Sequence, residues 1–235
     1  MNPIMGTRIF TEQERGSSFP DEPGYVWEWF KHIEQDLLNY LTYTPLDEEQ
    51  DNIDVWSPKL ANLMVDIGGI IDSFCRYSLG SSDFDNIQFQ GPKTIADLRA
   101  DPEEANMSHF RQMYEQTYGI SGLEMYVVPE GKQPVLTIQP FSSFANDTSP
   151  DWWSDVYTKL KHQRLSTSEY VKRATLENVI KGLEGLFLLQ LLHPPCQKYL
   201  LAQGVIRSKS PGWSSIEFAL FQQPCQEIPI LEMCT

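Results

Sequence analysis

Residues Ser166–Pro195 read STSEYVKRATLENVIKGLEGLFLLQLLHPP, and this stretch decides the fold. Tyr170, Ala174, Leu176, Val179, Ile180, Leu183, Leu186 and Phe187 recur at the spacing of one helical face. From Leu186 to Leu192 the run becomes apolar on nearly all sides. A helix without a polar face has to be enclosed by others, so this one is expected at the middle of a bundle. Ser166 and Glu169 have capping-box spacing, which predicts one long helix from Ser166 to about Leu192. His193-Pro194-Pro195 ends it, because proline cannot donate to the helical ladder.

Two further helices supply neighbours for it. Val26, Trp29, Phe30, Ile33, Leu37, Tyr40 and Leu41 predict an early helix with these residues on its buried face. Ser57 and Pro58 have the residue types of a cap and a first helical position. Leu60, Leu63, Met64, Ile67, Ile70, Ile71 and Phe74 follow as a continuous stripe, with Gly80 as the stop. The pair Gly68-Gly69 within it predicts a close helix approach or a bend. Between Ser81 and Ser149 the pattern changes to a helix closed by Gly119 and two short strands, Leu123–Val128 and Val135–Gln139. The expected architecture is mainly α: a helical bundle over 21–235 with 81–149 as a helix-plus-hairpin insertion, preceded by an irregular segment at 1–20. "SSIEFALF", Ser214–Phe221, has the composition of a strand.

Charge is unevenly spread. The net is −14, yet residues 1–150 hold 24 acidic against 9 basic side chains, and residues 151–235 hold 8 against 9. Such a chain repels nucleic acid at long range and favours a partner with a basic surface. The run Asp47, Glu48, Glu49, Asp51, Asp54 lacks the glycine and terminal glutamate of a calcium loop and reads as a solvated acidic loop or a docking surface. No basic-then-apolar leader opens the chain and no apolar run is long enough for a bilayer, so a cytoplasmic protein with no membrane association is expected. Cys75, Cys196, Cys225 and Cys234 form no disulfide framework. His193, Cys196, Cys225 and Cys234 make an H-x2-C…C-x8-C series compatible with zinc; the loose last spacing favours ordinary thiols beside a helix end. No cofactor is expected, since GxGxxG, P-loop, HExxH and GxSxG motifs are absent.

The stretch SPDWWSDVYTKLKHQR, Ser149–Arg164, carries the candidate chemistry. Ser149 is the expected cap and Pro150 the first helical residue. Trp153 and Tyr157 offer apolar area. Lys159, Lys161, His162 and Arg164, continued by Lys172 and Arg173, offer a basic ridge for phosphate or an acidic partner. Equally, cations in the last turn of a helix offset its dipole and satisfy free carbonyls. On an intact helix His162 and Arg164 lie about 200° apart, so they share one small ligand only if the helix breaks between them.

WWSDVYTKLKHQR followed by ATLENVIKGLEGLFLLQLL resembles a pattern of the HEPN superfamily, compact helical domains of toxin–antitoxin, phage-defence and CRISPR-associated systems. The likeness covers about 150–192. It implies a helical bundle, an antiviral-defence setting and a homodimer as an assembly state. Active ribonucleases of that superfamily use Arg-x(4–6)-His. None of the four histidines has arginine five to seven positions before it: those residues are Tyr25, Val26 and Trp27 for His32, Pro102, Glu103 and Glu104 for His109, Asp155, Val156 and Tyr157 for His162, and Leu186, Phe187 and Leu188 for His193. The expectation is a non-catalytic accessory binding protein with a protein partner, RNA being a second ligand class. The alternatives are a metal-independent ribonuclease using His162 and Arg164 as catalytic residues, and an acidic inhibitor or nucleic-acid mimic of a basic protein.

Overall fold

The computed structural model describes residues 22–46, 52–127, 136–164 and 166–205. The irregular segment 1–20, residues 47–51 of the acidic loop, Cys225, Cys234 and SSIEFALF lie outside them. The fold is a mainly helical bundle. Its centre is helix α7, Leu176–Leu192, in which 14 of 17 residues are buried. Helices α1 (Glu22–Leu41) and α2 (Pro58–Ser78) pack against α7 and against each other. Helix α8, Pro194–Ala202, turns back over α7 and α1. The Ser57 hydroxyl caps α2 by accepting from the Leu60 N–H at 3.1 Å, with Pro58 at the first helical position. His193 closes α7 and opens α8, whose first turn contains both prolines.

Three local expectations are corrected. The long helix from Ser166 is two helices, α6 (Ser168–Lys172) and α7. The break follows from a tertiary contact: the Leu176 and Glu177 N–H groups donate to the Val55 and Ile53 carbonyls at 2.9 and 3.0 Å, beside an antiparallel bridge between Trp56 and Thr175. Another segment of chain thus takes up N–H groups that a continuous helix would use internally. The cap is Thr167, accepting from the Glu169 N–H at 3.3 Å, while the Ser166 hydroxyl donates to the Gln163 carbonyl. At the tryptophan pair no side-chain cap hydrogen bond opens the helix. Instead the Pro150 carbonyl accepts from the Trp153 and Ser154 N–H groups, both at 2.9 Å.

That helix begins as a π-helical segment, Trp152–Tyr157, and continues as α5, Thr158–Gln163. The wider winding turns Trp152, Trp153, Val156 and Tyr157 into the core together. Two close approaches hold it there. The Trp152 indole N–H donates to the Pro140 carbonyl at 2.8 Å. Tyr157 lies over Gly68 of α2, where an added Cβ would fall 2.1 Å from the ring.

The 81–149 segment contains α3 (Ile95–Ala100), α4 (Met107–Tyr118, ended by left-handed Gly119 at φ 60°) and two three-residue strands. Strand β1, Met125–Val127, pairs antiparallel with β2, Leu136–Ile138. Phe84, Leu98, Phe110, Met113, Ile138 and Phe141 of this segment belong to the same buried cluster as the α7 residues. Among the described residues no helix is long and apolar enough to cross a membrane.

Candidate functional site

The ridge residues are placed differently from one another. Trp153 and Tyr157 are core residues, 9% and 3% exposed, with ring centroids 4.6 Å apart. Lys161 extends over the Tyr157 ring, 5.5 Å from its centroid, with Nζ 3.8 Å from Asp72. Asp72 also meets Arg76, which bonds Glu103 at 2.9 Å. Lys172 pairs with Glu169 at 2.7 Å, and the Arg173 guanidinium is 6.0 Å from the Tyr170 ring centroid. Lys159 is half-buried. The backbone stays helical through Arg164 (φ −50°, ψ −38°), so the break that would bring His162 and Arg164 to one ligand does not occur. His162 is exposed, whereas Arg164 turns inward and donates to the Ala61 carbonyl of α2 at 3.3 Å. Much of the ridge's positive charge therefore sits beside carboxylates or a carbonyl of its own chain.

An open groove lies elsewhere, between α1 and α2, with a volume of about 490 Å³. Tyr25, Val26 and Trp29 of α1 form one wall. Val65, Asp66, Gly69, Ile70, Ser73, Phe74 and Tyr77 of α2 form the other. Trp29 is 51% exposed and Tyr25 43%, which is unusual for side chains whose burial contributes so much to a core. Gly69 leaves a notch at mid-length, where an added Cβ would meet no atom within 4 Å. Among the described residues Asp66 is the one charged residue in the lining. Partial burial, then the nearby Asp36 carboxylate, hold its carboxyl above the usual range, against the opposing influence of Lys59, Arg164 and His32. Those three are engaged elsewhere: Lys59 pairs with Asp36 at 2.9 Å, Arg164 bonds Ala61, and His32 meets the Trp29 ring edge-on at 6.1 Å.

Two further clusters are buried. Glu184 of α7 is 1% exposed, and neither carboxyl oxygen has a hydrogen-bond partner among the described residues. Glu34 of α1 is coupled to it and likewise has a partnerless buried oxygen. Burial pushes Glu34 up to about 8 and Glu184 well above the carboxylate range, the latter helped by Glu34. His193 packs against the Phe74 and Tyr77 rings, with centroids 5.4 and 5.2 Å away, and burial lowers it to about 4. His193 and Cys196 are both buried, and among the described residues no cluster of three or more His, Cys, Asp or Glu side chains could hold a metal ion.

Helical periodicity did not identify the groove, because it assigned Trp29 to the buried face. On a helical wheel Trp27 and Trp29 flank the Phe30–Ile33–Leu37 stripe on opposite sides. Phe187 of α7 covers the Trp27 side, with ring centroids 6.3 Å apart, and leaves Trp29 at the surface. The available signal was an apolar arc wider than one neighbouring helix covers. Compared with known proteins, the chain matches no family model, no curated protein and no solved structure.

Proposed function

We propose that this protein works by binding, as a non-catalytic accessory subunit whose α1–α2 groove receives an apolar segment of a protein partner. The observation that carries this reading is the groove itself: two large aromatic side chains left half in water beside an unfilled glycine notch. Leaving Trp29 and Tyr25 exposed forgoes roughly 25 cal/mol for each Å² of apolar surface that burial would remove from water, and a docked partner recovers it. Exposed aromatics that are covered on association are the usual anchors of a protein interface. For such a subunit the proposed setting is a prokaryotic defence or toxin–antitoxin type assembly, a reading supported by the resemblance of the 150–192 sequence to HEPN domains. The ribonuclease alternative draws less support, because His162 and Arg164 point to different sides of α5 and Arg164 is occupied by Ala61.

A photoreactive side chain introduced at Ile70 tests the reading in cells. Docking yields one discrete protein adduct, which Trp29→Ser removes and His162→Ala leaves in place. An adduct indifferent to Trp29→Ser, or no adduct at all, would exclude the groove as the binding surface.

A further inference from the structure

Resting on the groove reading, we infer that its occupant is an amphipathic helix of a partner protein that sets one lysine or arginine against Asp66, one turn from an apolar side chain seated in the Gly69 notch. Three observations combine in this assignment.

The first is shape. From Val65 to Tyr77 the α2 wall advances twelve residues, about 18 Å, or a little over three helical turns. Among the described residues both walls are helix side chains and expose no strand edge whose N–H and C=O groups could pair with an extended peptide. An occupant entering such an apolar slot must satisfy its own backbone, which a helix does internally. Its side chains at i, i+3/i+4 and i+7 then match the length of the slot.

The second is the notch. Gly69 sits between Asp66 and Ser73 on the groove-facing stripe of α2, and the space beyond its Cα is open. A single projecting side chain of the occupant fits there as a knob. Because Asp66 precedes Gly69 by three residues, its carboxylate lies about one turn, roughly 4.5 Å along the axis, from that knob.

The third is charge. Among the described residues Asp66 makes no ion pair within 4.0 Å and accepts no hydrogen bond, while its neighbours Lys59 and Arg164 have other partners. Covering the groove with a purely apolar helix would strip this carboxylate of water without replacement, which opposes binding. A guanidinium or ammonium at that point removes the penalty and selects register as well as partner. The chain's net charge of −14 favours approach of a basic segment.

The test is a selection against the full-length protein from a displayed library of three-turn helices randomised along one face, run in parallel against Asp66→Asn, Asp66→Lys and Trp29→Ser. The expected result is enrichment of apolar residues at i, i+3/i+4 and i+7, with lysine or arginine at one fixed position. That basic preference should disappear against Asp66→Asn and turn to aspartate or glutamate against Asp66→Lys. For a selected helix, Asp66→Asn should weaken binding about tenfold or more, as for loss of a desolvated charge pair, without changing the melting temperature. Apolar helices selected without a basic preference, and lost against Trp29→Ser, would overturn the charge assignment and leave the groove reading intact. If no selected helix is sensitive to Trp29→Ser, both fall together.

Discussion

Trp153 and Trp29 both sit on helices of the bundle, yet they serve opposite ends. Around Trp153 every apolar surface has been used: Trp152 reaches Pro140, Tyr157 fills the space over Gly68, and Lys161 pairs with Asp72. Around Trp29 about half of the apolar surface stays exposed, and the adjacent carboxylate lacks an ion-pair partner among the described residues. The region that looks chemically rich in the sequence is a packing joint. The region without a recognisable motif leaves large apolar side chains exposed. Gly68 and Gly69 put this contrast into two consecutive residues, one pressed under Tyr157 and the other open to the groove.

The largest test of the contrast is truncation of Trp152, the enclosed neighbour of Trp153, beside truncation of Trp29. Trp152→Ala empties a fully enclosed site and is expected to destabilise the fold by about 3–5 kcal/mol, lowering the melting temperature by roughly 10 °C. Trp29→Ser should stay within about 0.5 kcal/mol of wild type in urea unfolding. Comparable losses from the two would mean that Trp29 is structural and the groove is closed in solution.

The buried carboxyl pair gives the next effect. Burial raises Glu34 and Glu184 above their ordinary value of 4.5, so the folded protein holds protons that the unfolded chain has released. Both contributions are intact below pH 4.5; that of Glu34 is lost as pH rises through about 8, and that of Glu184 as pH rises through its own raised value. His193 has the opposite sign: lowered to about 4, it contributes fully above pH 6.5 and loses that contribution as pH falls through 4. Chemical unfolding of Glu184→Gln between pH 5 and 9 should therefore show a flatter profile than wild type and a higher midpoint at pH 9. A profile parallel to wild type would mean that Glu184 is charged and solvated in the fold.

The glycine pair sharpens the comparison at smaller scale. Gly68→Ala drives a methyl into the Tyr157 ring and should destabilise by about 1–3 kcal/mol. Gly69→Ala enters open space at a half-buried helical position and should stabilise by up to about 1 kcal/mol, while filling the notch and weakening a groove-bound helix. The same sign for both would erase the distinction between packed and open faces. Smallest of all, Lys161→Ala and Lys172→Ala should leave the melting temperature within about 2 °C, as expected for exposed ion pairs.

Several features were legible from residue order because their physics is local. Ser57-Pro58 starts a helix, Gly119 adopts the left-handed conformation that ends one, and His193-Pro194-Pro195 separates α7 from α8. Each depends on groups within one turn of the chain. The cap at Thr167 differs from the expected one by a single residue, because neighbouring hydroxyls compete and Ser166 is drawn to Gln163 instead. The break before α7 was not legible, since it depends on backbone groups of Ile53 and Val55, more than a hundred residues away. Nor was the π winding at Trp152, which fits two adjacent indoles into one core rather than satisfying any local preference.

By itself the sequence determined the bundle and its centre, because a run that is apolar on all sides from Leu186 to Leu192 has no stable place except inside other helices. It also determined that α1 and α2 carry broad apolar faces. Tertiary structure alone decided how those faces were divided. Phe187 covers Trp27, Tyr157 covers Gly68, and neither covers Trp29 or Gly69. Periodicity reports how much apolar surface a helix offers, while exposure depends on where its neighbours end.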